Sequence, residues 1–153
     1  KDEKVMKISI IGNGFVGKST AIQLLSDSEF HDPANNMISD YKNADIVFIC
    51  VPTDLKDGNL DTSIVESYLD ELQDHPFVFI RSTIPHELVK DTNFAVFPEF
   101  LREKTWKDDS LNPKVNIIGG SREQFIKLLG LTGNYDLHRV TNVEASLIKL
   151  SIN

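Results

Sequence analysis

The fold is decided by the stretch Lys7-Ile8-Ser9-Ile10-Ile11-Gly12-Asn13-Gly14-Phe15-Val16-Gly17-Lys18-Ser19-Thr20. An apolar, β-branched run precedes the glycines and helical spacing follows them, which predicts a strand, a tight turn and a helix. Gly12, Gly14 and Gly17 form G-x-G-x-x-G, the dinucleotide fingerprint. The run from Gly12 to Ser19 also forms G-x-x-x-x-G-K-S, the P-loop of nucleoside triphosphatases. The turn alone therefore leaves two classes of nucleotide-binding protein open.

Strands and helices alternate along the rest of the chain. The pattern predicts strands at 5–11, 44–52, 77–80, 94–97 and 115–118, with a weak one at 29–33 that Pro33 stops. It predicts helices at 16–26, 62–72, 121–129 and 143–153, a short one at 36–43, and a stop at Gly130. Such alternation indicates an α/β fold with a Rossmann-like, doubly wound, mostly parallel sheet and helices on both faces. Ligands are expected at the carboxyl edge of that sheet.

Composition limits the binding partners, the cellular compartment and the metal sites that the sequence predicts. The 153 residues suit one domain, and a formal net charge of −7 argues against nucleic acid, whose phosphates an acidic surface repels. One cysteine, Cys50, excludes an internal disulfide and predicts a reducing, cytoplasmic setting. The charged amino terminus predicts no signal peptide, and no apolar run is long enough to span a membrane. The four histidines are scattered, so no metal site is predicted.

The two glycine patterns make different demands on the rest of the sequence. A P-loop needs a magnesium-binding acid at the end of a later strand, but the strand at 44–52 ends in Pro52-Thr53. A dinucleotide turn needs an acid about 20 residues on, and Asp32 lies 20 residues after Gly12. These demands favour the dinucleotide turn, with Lys18 and Ser19 on the helix surface. A triphosphatase, and a turn that binds nothing, stay open as alternatives.

Five blocks in the remaining chain resemble the UDP-glucose/GDP-mannose dehydrogenase family. They are ADIVFICVPT at 44–53, DGNLD at 57–61, RSTIP at 81–85, PEFLRE at 98–103 and EASLIKLSIN at 144–153. Their order and spacing match the family over nearly the whole chain. Family members oxidise the C6 alcohol of a nucleotide sugar to a carboxylate with two NAD+, in polysaccharide biosynthesis, and dimerise through a central helix. The resemblance implies an NAD-binding domain at 1–142, and the start of that helix at 143–153.

The resemblance also implies roles for individual residues. It assigns cofactor contacts to Gly12, Asn13, Gly14, Phe15, Val16, Gly17, Asp32, Val51, Pro52, Thr53, Ser82, Thr83 and Glu103. It assigns contacts with a substrate such as UDP-glucose to Glu99, Phe100, Leu101, Arg102, Glu103, Lys149 and Asn153. Asp32 would hold the adenosine ribose, Thr83 a water or the reacting oxygen, and Glu99 would be the acid–base. Lys149 and Asn153 would stabilise the oxyanion.

Spacing adds a physical expectation to two of these pairs. Glu99 and Glu103 are four residues apart, as are Lys149 and Asn153. On a helix, residues four apart share a face. Each pair is therefore expected to present its polar groups together.

The chain departs from the family in two respects. The family's nucleophilic cysteine and its aspartate partner lie beyond the central helix, and this chain ends before them. Cys50 sits in an apolar strand, where a buried thiol is usually inert. The segment 26–45 is also shorter than the family's usual connection. The sequence thus predicts NAD binding without turnover, with a non-catalytic dinucleotide-sensing module as a further alternative.

Overall fold

The structure, a computed structural model, describes residues 5–134 and 136–152. Its strands are β1 Ile8–Ile11, β2 Glu29–His31, β3 Ile46–Ile49, β4 Leu55–Lys56, β5 Asn59–Leu60, β6 Val78–Ile80, β7 Ala95–Val96, β8 Ile117–Ile118 and β9 His138–Arg139. Its α-helices are α1 Phe15–Gln23, α2 Ser63–Glu71, α3 Trp106–Leu111, α4 Arg122–Thr132 and α5 Asn142–Ile152. Four 3₁₀ turns lie at Pro33–Asn35, Tyr41–Asn43, His86–Leu88 and Glu103–Thr105.

The main sheet has five parallel strands in the order β2-β1-β3-β6-β7. The chain leaves β1 toward β2 on one side and then crosses back to β3 on the other. The order therefore reverses at β1, and ligands of such sheets bind outside the carboxyl ends of the strands at this point. The predicted doubly wound α/β fold is confirmed.

Side-chain alternation along the central strand builds two cores. Ile46 and Phe48 pack on the face that α1 and α4 cover, whereas Val47 and Ile49 pack on the face of α2 and α5. All four are fully buried, as a strand covered on both faces requires. The prediction of helices on both faces is confirmed.

The predicted helix at 36–43 is wrong. Asn36 takes a left-handed conformation (φ 58°), and Asp32 forms a β-bridge with Met37, so the chain folds back on itself there. Only the turn at Tyr41–Asn43 follows before β3. The crossover between β2 and β3 is consequently short and contains no α-helix.

The predicted end of the fourth helix is also wrong. Gly130 lies inside α4, and Gly133 ends the helix instead in the left-handed conformation (φ 64°). One glycine within a helix costs only about 1 kcal/mol, which the burial of Leu128 and Leu131 on α4 outweighs. The start was predicted correctly, because Ser121 and Gln124 form a reciprocal capping box.

Strand β9, which pairs with β8, has no counterpart in the prediction, and neither do two further features. One is the hairpin of β4 and β5, whose turn residues Asp57 and Gly58 both have positive φ. The other is α3, which packs against α1. The position of α3 shapes one wall of the cleft described below.

Candidate functional site

The three glycines of the β1–α1 turn have three different surroundings. A Cβ on Gly12 (φ +103°) would lie 2.7 Å from the Cys50 carbonyl oxygen, and one on Gly17 would lie 2.0 Å from the Gly12 carbonyl oxygen. A Cβ on Gly14 would have no atom within 4 Å. The first and third glycines thus allow close packing, and Gly14 keeps the space at the helix start clear. This division of roles fits the pyrophosphate of a dinucleotide.

Helix α1 begins without a side-chain cap. Gly14 occupies the N-cap position and has no side chain, so Phe15 and Val16 begin a helix whose first N–H groups receive no cap. Such groups, with the positive end of the helix dipole, form a binding site for phosphate. The residues present therefore fit the dinucleotide that the sequence predicts.

Asp32 lies directly beside this turn. Its Oδ2 accepts hydrogen bonds from the Asn13 backbone N–H (3.0 Å) and from Asn35 Nδ2 (2.9 Å). The Gly12 N–H donates to the His31 carbonyl (2.9 Å), which fixes the end of β2 against the turn. The structure thus brings the predicted acid to the glycines, although its contact with a ribose stays a prediction.

The ends of β3 and β6 also meet at this edge. Ser82 Oγ donates to the Val51 carbonyl (2.6 Å), and Thr53 Oγ1 donates to the Thr83 carbonyl (2.7 Å). Val51 and Ser82 are buried, whereas Pro52, between Val51 and Thr53, is exposed. The residues predicted to border the cofactor from these two strands therefore form one connected surface.

The positions of Lys18 and Ser19 do not fit a P-loop. Lys18 is exposed as predicted, but Ser19 is buried rather than on the helix surface. Its hydroxyl is hydrogen-bonded to Ser110 of α3. A P-loop uses that hydroxyl to hold Mg²⁺, so the lysine and serine only imitate the motif.

Glu99 and Lys149 form a buried ion pair beyond the end of β7. Lys149 Nζ lies 3.0 Å from Glu99 Oε1 and donates to the Glu99 backbone carbonyl (2.6 Å). Glu99 Oε2 accepts the Leu101 N–H (2.7 Å). The ring of Phe100 lies 5.4 Å from the ammonium. A carboxylate and a cation are thus held together at the edge that also carries the glycine turn.

Polar side chains on the inner face of helix α5 hold the helix beside Glu99. Asn142 bonds both the Val96 N–H (3.0 Å) and the Phe94 carbonyl (2.6 Å), and Ser146 Oγ donates to the Ile84 carbonyl (2.5 Å). Lys149 lies three residues after Ser146, on the same face. These bonds fix the helix against the sheet edge and so place the ammonium at Glu99.

The expectation for Glu103 is wrong in one respect. The residues between Glu99 and Glu103 are not helical, so the two carboxylates share no helix face. Glu103 is exposed at the start of a 3₁₀ turn, whereas Glu99 is buried. The Pro98 ring fixes φ and favours an extended residue before it, which suits a strand end rather than a helix. Asn153, the expected partner of Lys149, lies outside the described residues.

A cleft of about 670 Å³ opens beside Glu99. Residues 98–102 line it together with the end of α1, α3, the segment 113–116 and the residues Thr132, Asn134 and Asp136. Arg102 binds Asp109 through its guanidinium (2.9 Å) and its backbone N–H (2.9 Å), which holds the loop against α3. The cleft therefore brings together four of the predicted substrate residues, Glu99, Phe100, Leu101 and Arg102.

Arg81 also lines this cleft, although its sequence motif predicted no role for it. It is 4% exposed and follows β6 directly. Its guanidinium carbon lies 4.1 Å from the centre of the Phe97 ring. The sequence did contain one signal for it: a cationic residue directly follows a fully apolar strand, and ligands bind at the carboxyl ends of such strands.

Cys50 is buried, as its place in the sequence predicts. Burial raises the pKa of its thiol to about 11, so the nucleophilic thiolate is scarce at neutral pH. Within residues 5–134 and 136–152, no three His, Cys, Asp or Glu side chains cluster so as to hold a metal ion. In the same part of the chain, no helix has the length and apolar character to cross a membrane.

Comparison with known proteins decides the family. The sequence model of the UDP-glucose/GDP-mannose dehydrogenase family, NAD binding domain, matches residues 27–131. The chain belongs to the UDP-glucose/GDP-mannose dehydrogenase family. It contains that family's NAD-binding domain, which makes NAD its cofactor.

Individual relatives agree with this assignment. The UDP-glucose 6-dehydrogenase of Campylobacter jejuni is 30% identical, with 78% of this chain and 35% of that enzyme aligned. A GDP-mannose dehydrogenase from Pseudomonas aeruginosa, solved as a ternary complex, superposes with a TM-score of 0.80 at 23% identity, over 97% of this chain and 49% of that one. A UDP-D-ManNAc dehydrogenase from Pyrococcus horikoshii gives 0.74 at 20% identity, over 96% and 50%. The two solved structures show the dehydrogenase fold, and the chain spans about half their length.

Proposed function

We propose that this domain serves a nucleotide-sugar 6-dehydrogenase, which oxidises the C6 alcohol of a substrate such as UDP-glucose to a carboxylate. The observation that carries the proposal is the buried pair of Glu99 and Lys149 at the sheet edge that also holds the glycine turn. Strand β7 is three strand positions from β1, about 14 Å at the usual spacing. The reacting groups and the cofactor turn therefore share one surface without overlapping.

The proposed chemistry assigns one task to each side chain. NAD+, when bound, supplies the hydride acceptor. Glu99 accepts a proton at its carboxylate, whose orientation the Leu101 N–H and Lys149 fix. The Lys149 ammonium stabilises the negative charge that develops on the reacting oxygen. Thr83, half-buried after β6, positions that oxygen or a water.

Cofactor binding is tested by calorimetric titration of the chain with NAD+ and with ATP–Mg²⁺. We expect NAD+ to bind and Lys18→Ala to leave its affinity unchanged, because Lys18 is exposed and outside the turn. Tighter binding of ATP–Mg²⁺, with phosphate release that Lys18→Ala abolishes, would restore the triphosphatase alternative and overturn the proposal.

The catalytic assignment needs a separate test. In a full-length enzyme containing this domain, Glu99→Gln is expected to lower kcat by about a hundredfold or more with little change in the Kd for NAD+. The matched control is Glu123→Gln, which removes the same charge from an exposed residue of α4 that is assigned no contact with cofactor or substrate. Unchanged turnover in Glu99→Gln would favour the non-catalytic sensing module.

We also propose that α5 begins the central helix of the family and carries dimer contacts. Leu147, Leu150 and Ile152 are exposed on it, at 44%, 39% and 55%. Burial of such a stripe against a second copy would remove apolar surface from water. Sedimentation velocity should show a concentration-dependent dimer that Leu150→Glu disrupts, and a wild-type monomer at all concentrations would contradict this.

A further inference from the structure

Asn13 and Gly14 form the one Asn-Gly pair in the sequence, and they lie in the glycine turn itself. The amide carbon of an asparagine side chain and the next backbone nitrogen can close a five-membered ring. A Cβ on the residue that supplies the nitrogen crowds the attacking atom and slows this reaction. Glycine has no Cβ, so an Asn-Gly pair is the least hindered sequence for ring closure.

The backbone nitrogen of Gly14 is open in the structure. Gly14 is exposed, and a Cβ built on it would have no atom within 4 Å. None of the described residues accepts a hydrogen bond from its N–H, because Gly14 stands just before the first turn of α1. The attacking nitrogen is therefore held by neither a steric contact nor a hydrogen bond.

The side-chain amide of Asn13 is equally unrestrained. Within residues 5–134 and 136–152 it forms no hydrogen bond, although no buried side-chain oxygen or nitrogen there lacks a partner. The amide therefore reaches solvent, which supplies the water for a later hydrolysis. The Asn13 backbone N–H is bound to Asp32 Oδ2 (3.0 Å), so the residue is fixed in the turn while its side chain stays free.

We infer that Asn13 is a modification site, at which the empty glycine turn converts to an aspartyl or isoaspartyl form that no longer binds NAD. The Gly14 nitrogen attacks Asn13 Cγ, the new N–C bond closes a succinimide ring, and the Cγ–Nδ2 bond breaks. The proton of the Gly14 nitrogen leaves with Nδ2 as ammonia. Water then opens the ring at either carbonyl and gives aspartate or isoaspartate. No electrons are transferred, so the reaction needs no co-reactant besides water.

Both products oppose a bound pyrophosphate. Aspartate at position 13 adds a carboxylate beside that of Asp32, at the helix start where the phosphates are to bind, and like charges repel. Isoaspartate lengthens the backbone by one carbon directly after Gly12. A Cβ on Gly12 would already lie 2.7 Å from the Cys50 carbonyl oxygen, so a turn packed this closely has no room for the extra atom.

Bound NAD would protect the site. The pyrophosphate of a dinucleotide lies against the second glycine and the start of the helix, so it would cover the Gly14 nitrogen. Only the empty turn would then react, and the modification would inactivate only chains that lack their cofactor. The protection rests on the turn as the NAD site. Ring closure itself does not, and neither depends on the proposed dehydrogenase reaction.

The test is incubation of the chain at pH 9, with and without NAD+, followed by trypsin digestion and mass spectrometry. The tryptic peptide 8–18 contains Asn13, and the peptide 57–81 contains Asn59, an exposed asparagine followed by leucine. Without NAD+, we expect the amide-to-acid mass change in peptide 8–18 to proceed about tenfold faster than in peptide 57–81. NAD+ at ten times its Kd leaves about one turn in eleven empty, and should slow the conversion about tenfold.

Matched variants separate this reaction from general charge effects. Asn13→Asp supplies the product charge at once and is expected to lower the NAD+ affinity at least about tenfold. If it does not fold, the affinity of the converted wild type carries the measurement. Gln73→Glu makes the same change at an exposed residue between α2 and β6, at the opposite edge of the sheet, and should change affinity less than about twofold. Asn13→Gln moves the amide carbon one bond farther away, and its NAD+ affinity should stay at its own starting value through the incubation.

Three results would overturn the inference. They are conversion of peptide 8–18 no faster than that of peptide 57–81, conversion at the same rate with and without bound NAD+, and equal effects of Asn13→Asp and Gln73→Glu on affinity. A wild-type chain that does not bind NAD+ before incubation would count against the cofactor site instead. The comparison of the two peptides would still decide in that case whether Asn13 is the modification site.

Discussion

Replacement of Lys149 by methionine should destabilise the domain strongly. Methionine keeps the apolar stem but leaves the Glu99 carboxylate with the Leu101 N–H as its remaining described partner. The two side chains are only 7% and 9% exposed. Breaking a buried ion pair by removing one partner costs about 3–5 kcal/mol. For a domain of this size that corresponds to a fall in Tm of about 6–20 °C.

The assay is urea unfolding at pH 7, followed by circular dichroism and by the fluorescence of Trp106, the one tryptophan. Lys18→Met, which removes an exposed lysine, is the control and should change the free energy of unfolding by less than about 0.5 kcal/mol. The double variant Lys149→Met/Glu99→Leu should recover most of the loss, since two apolar residues can replace a buried pair at little cost. A loss below about 1 kcal/mol in Lys149→Met, or no recovery in the double variant, would refute the reasoning.

Three further predictions concern single positions. Gly17→Ala should lower the free energy of unfolding by about 3 kcal/mol or more, because the new Cβ would lie 2.0 Å from a carbonyl oxygen. Gly130→Ala should raise it by about 0.5–1 kcal/mol, because the new Cβ would have no atom within 4 Å. Urea unfolding of both variants checks this, and equal effects would contradict it. The buried Cys50 thiol, with its pKa raised to about 11, should resist iodoacetamide at pH 8 until the protein unfolds, and rapid labelling of the native protein in mass spectra would contradict its burial. Hydrogen bonds from Arg102 hold the pKa of Asp109 below its ordinary value of 3.8, so this contribution to stability is present above pH 3.8 and is lost as the pH falls below it. Asp109→Asn should therefore flatten the acid side of the stability profile, and an unchanged profile in acid titrations would disprove the linkage.

Local patterns predicted the parts of the fold that local forces determine. The strand, glycine turn and helix around Gly12 follow from β-branched residues, from the φ that only glycine takes easily and from apolar spacing. The start of the helix at Ser121 was predictable for the same reason. Each is fixed by residues within a few positions of one another.

The wrong predictions concern positions whose structure depends on residues that are distant in sequence. Ser19 is buried because α3, about ninety residues away in sequence, packs on α1. The segment 36–43 has residues compatible with a short helix, but the β-bridge between Asp32 and Met37 folds the start of this segment back on the preceding residues. Spacing alone put Glu99 and Glu103 on one face, yet no helix connects them.

The candidate site could likewise be predicted only in part. Its residues could be named from motifs, but Glu99 and Lys149 are 50 positions apart in sequence, and no local rule predicts that they meet. Arg81 was inside a quoted motif but received no role, because burial of a cation cannot be seen in a sequence. Its burial and its hydrogen bonds to Phe97, Thr20 and Gln23 became visible only in the structure.

The central claim is that the glycine turn binds NAD, and calorimetric titration of NAD+ into wild type and Gly14→Ala tests it most directly. The new Cβ has no protein atom within 4 Å, so the free energy of unfolding should change by less than about 1 kcal/mol. The same methyl group would enter the space through which the pyrophosphate approaches the helix. We expect NAD+ to bind to the wild type and to bind Gly14→Ala with an affinity at least about tenfold lower. Equal NAD+ affinity in the two proteins, or no binding to wild type, would contradict it.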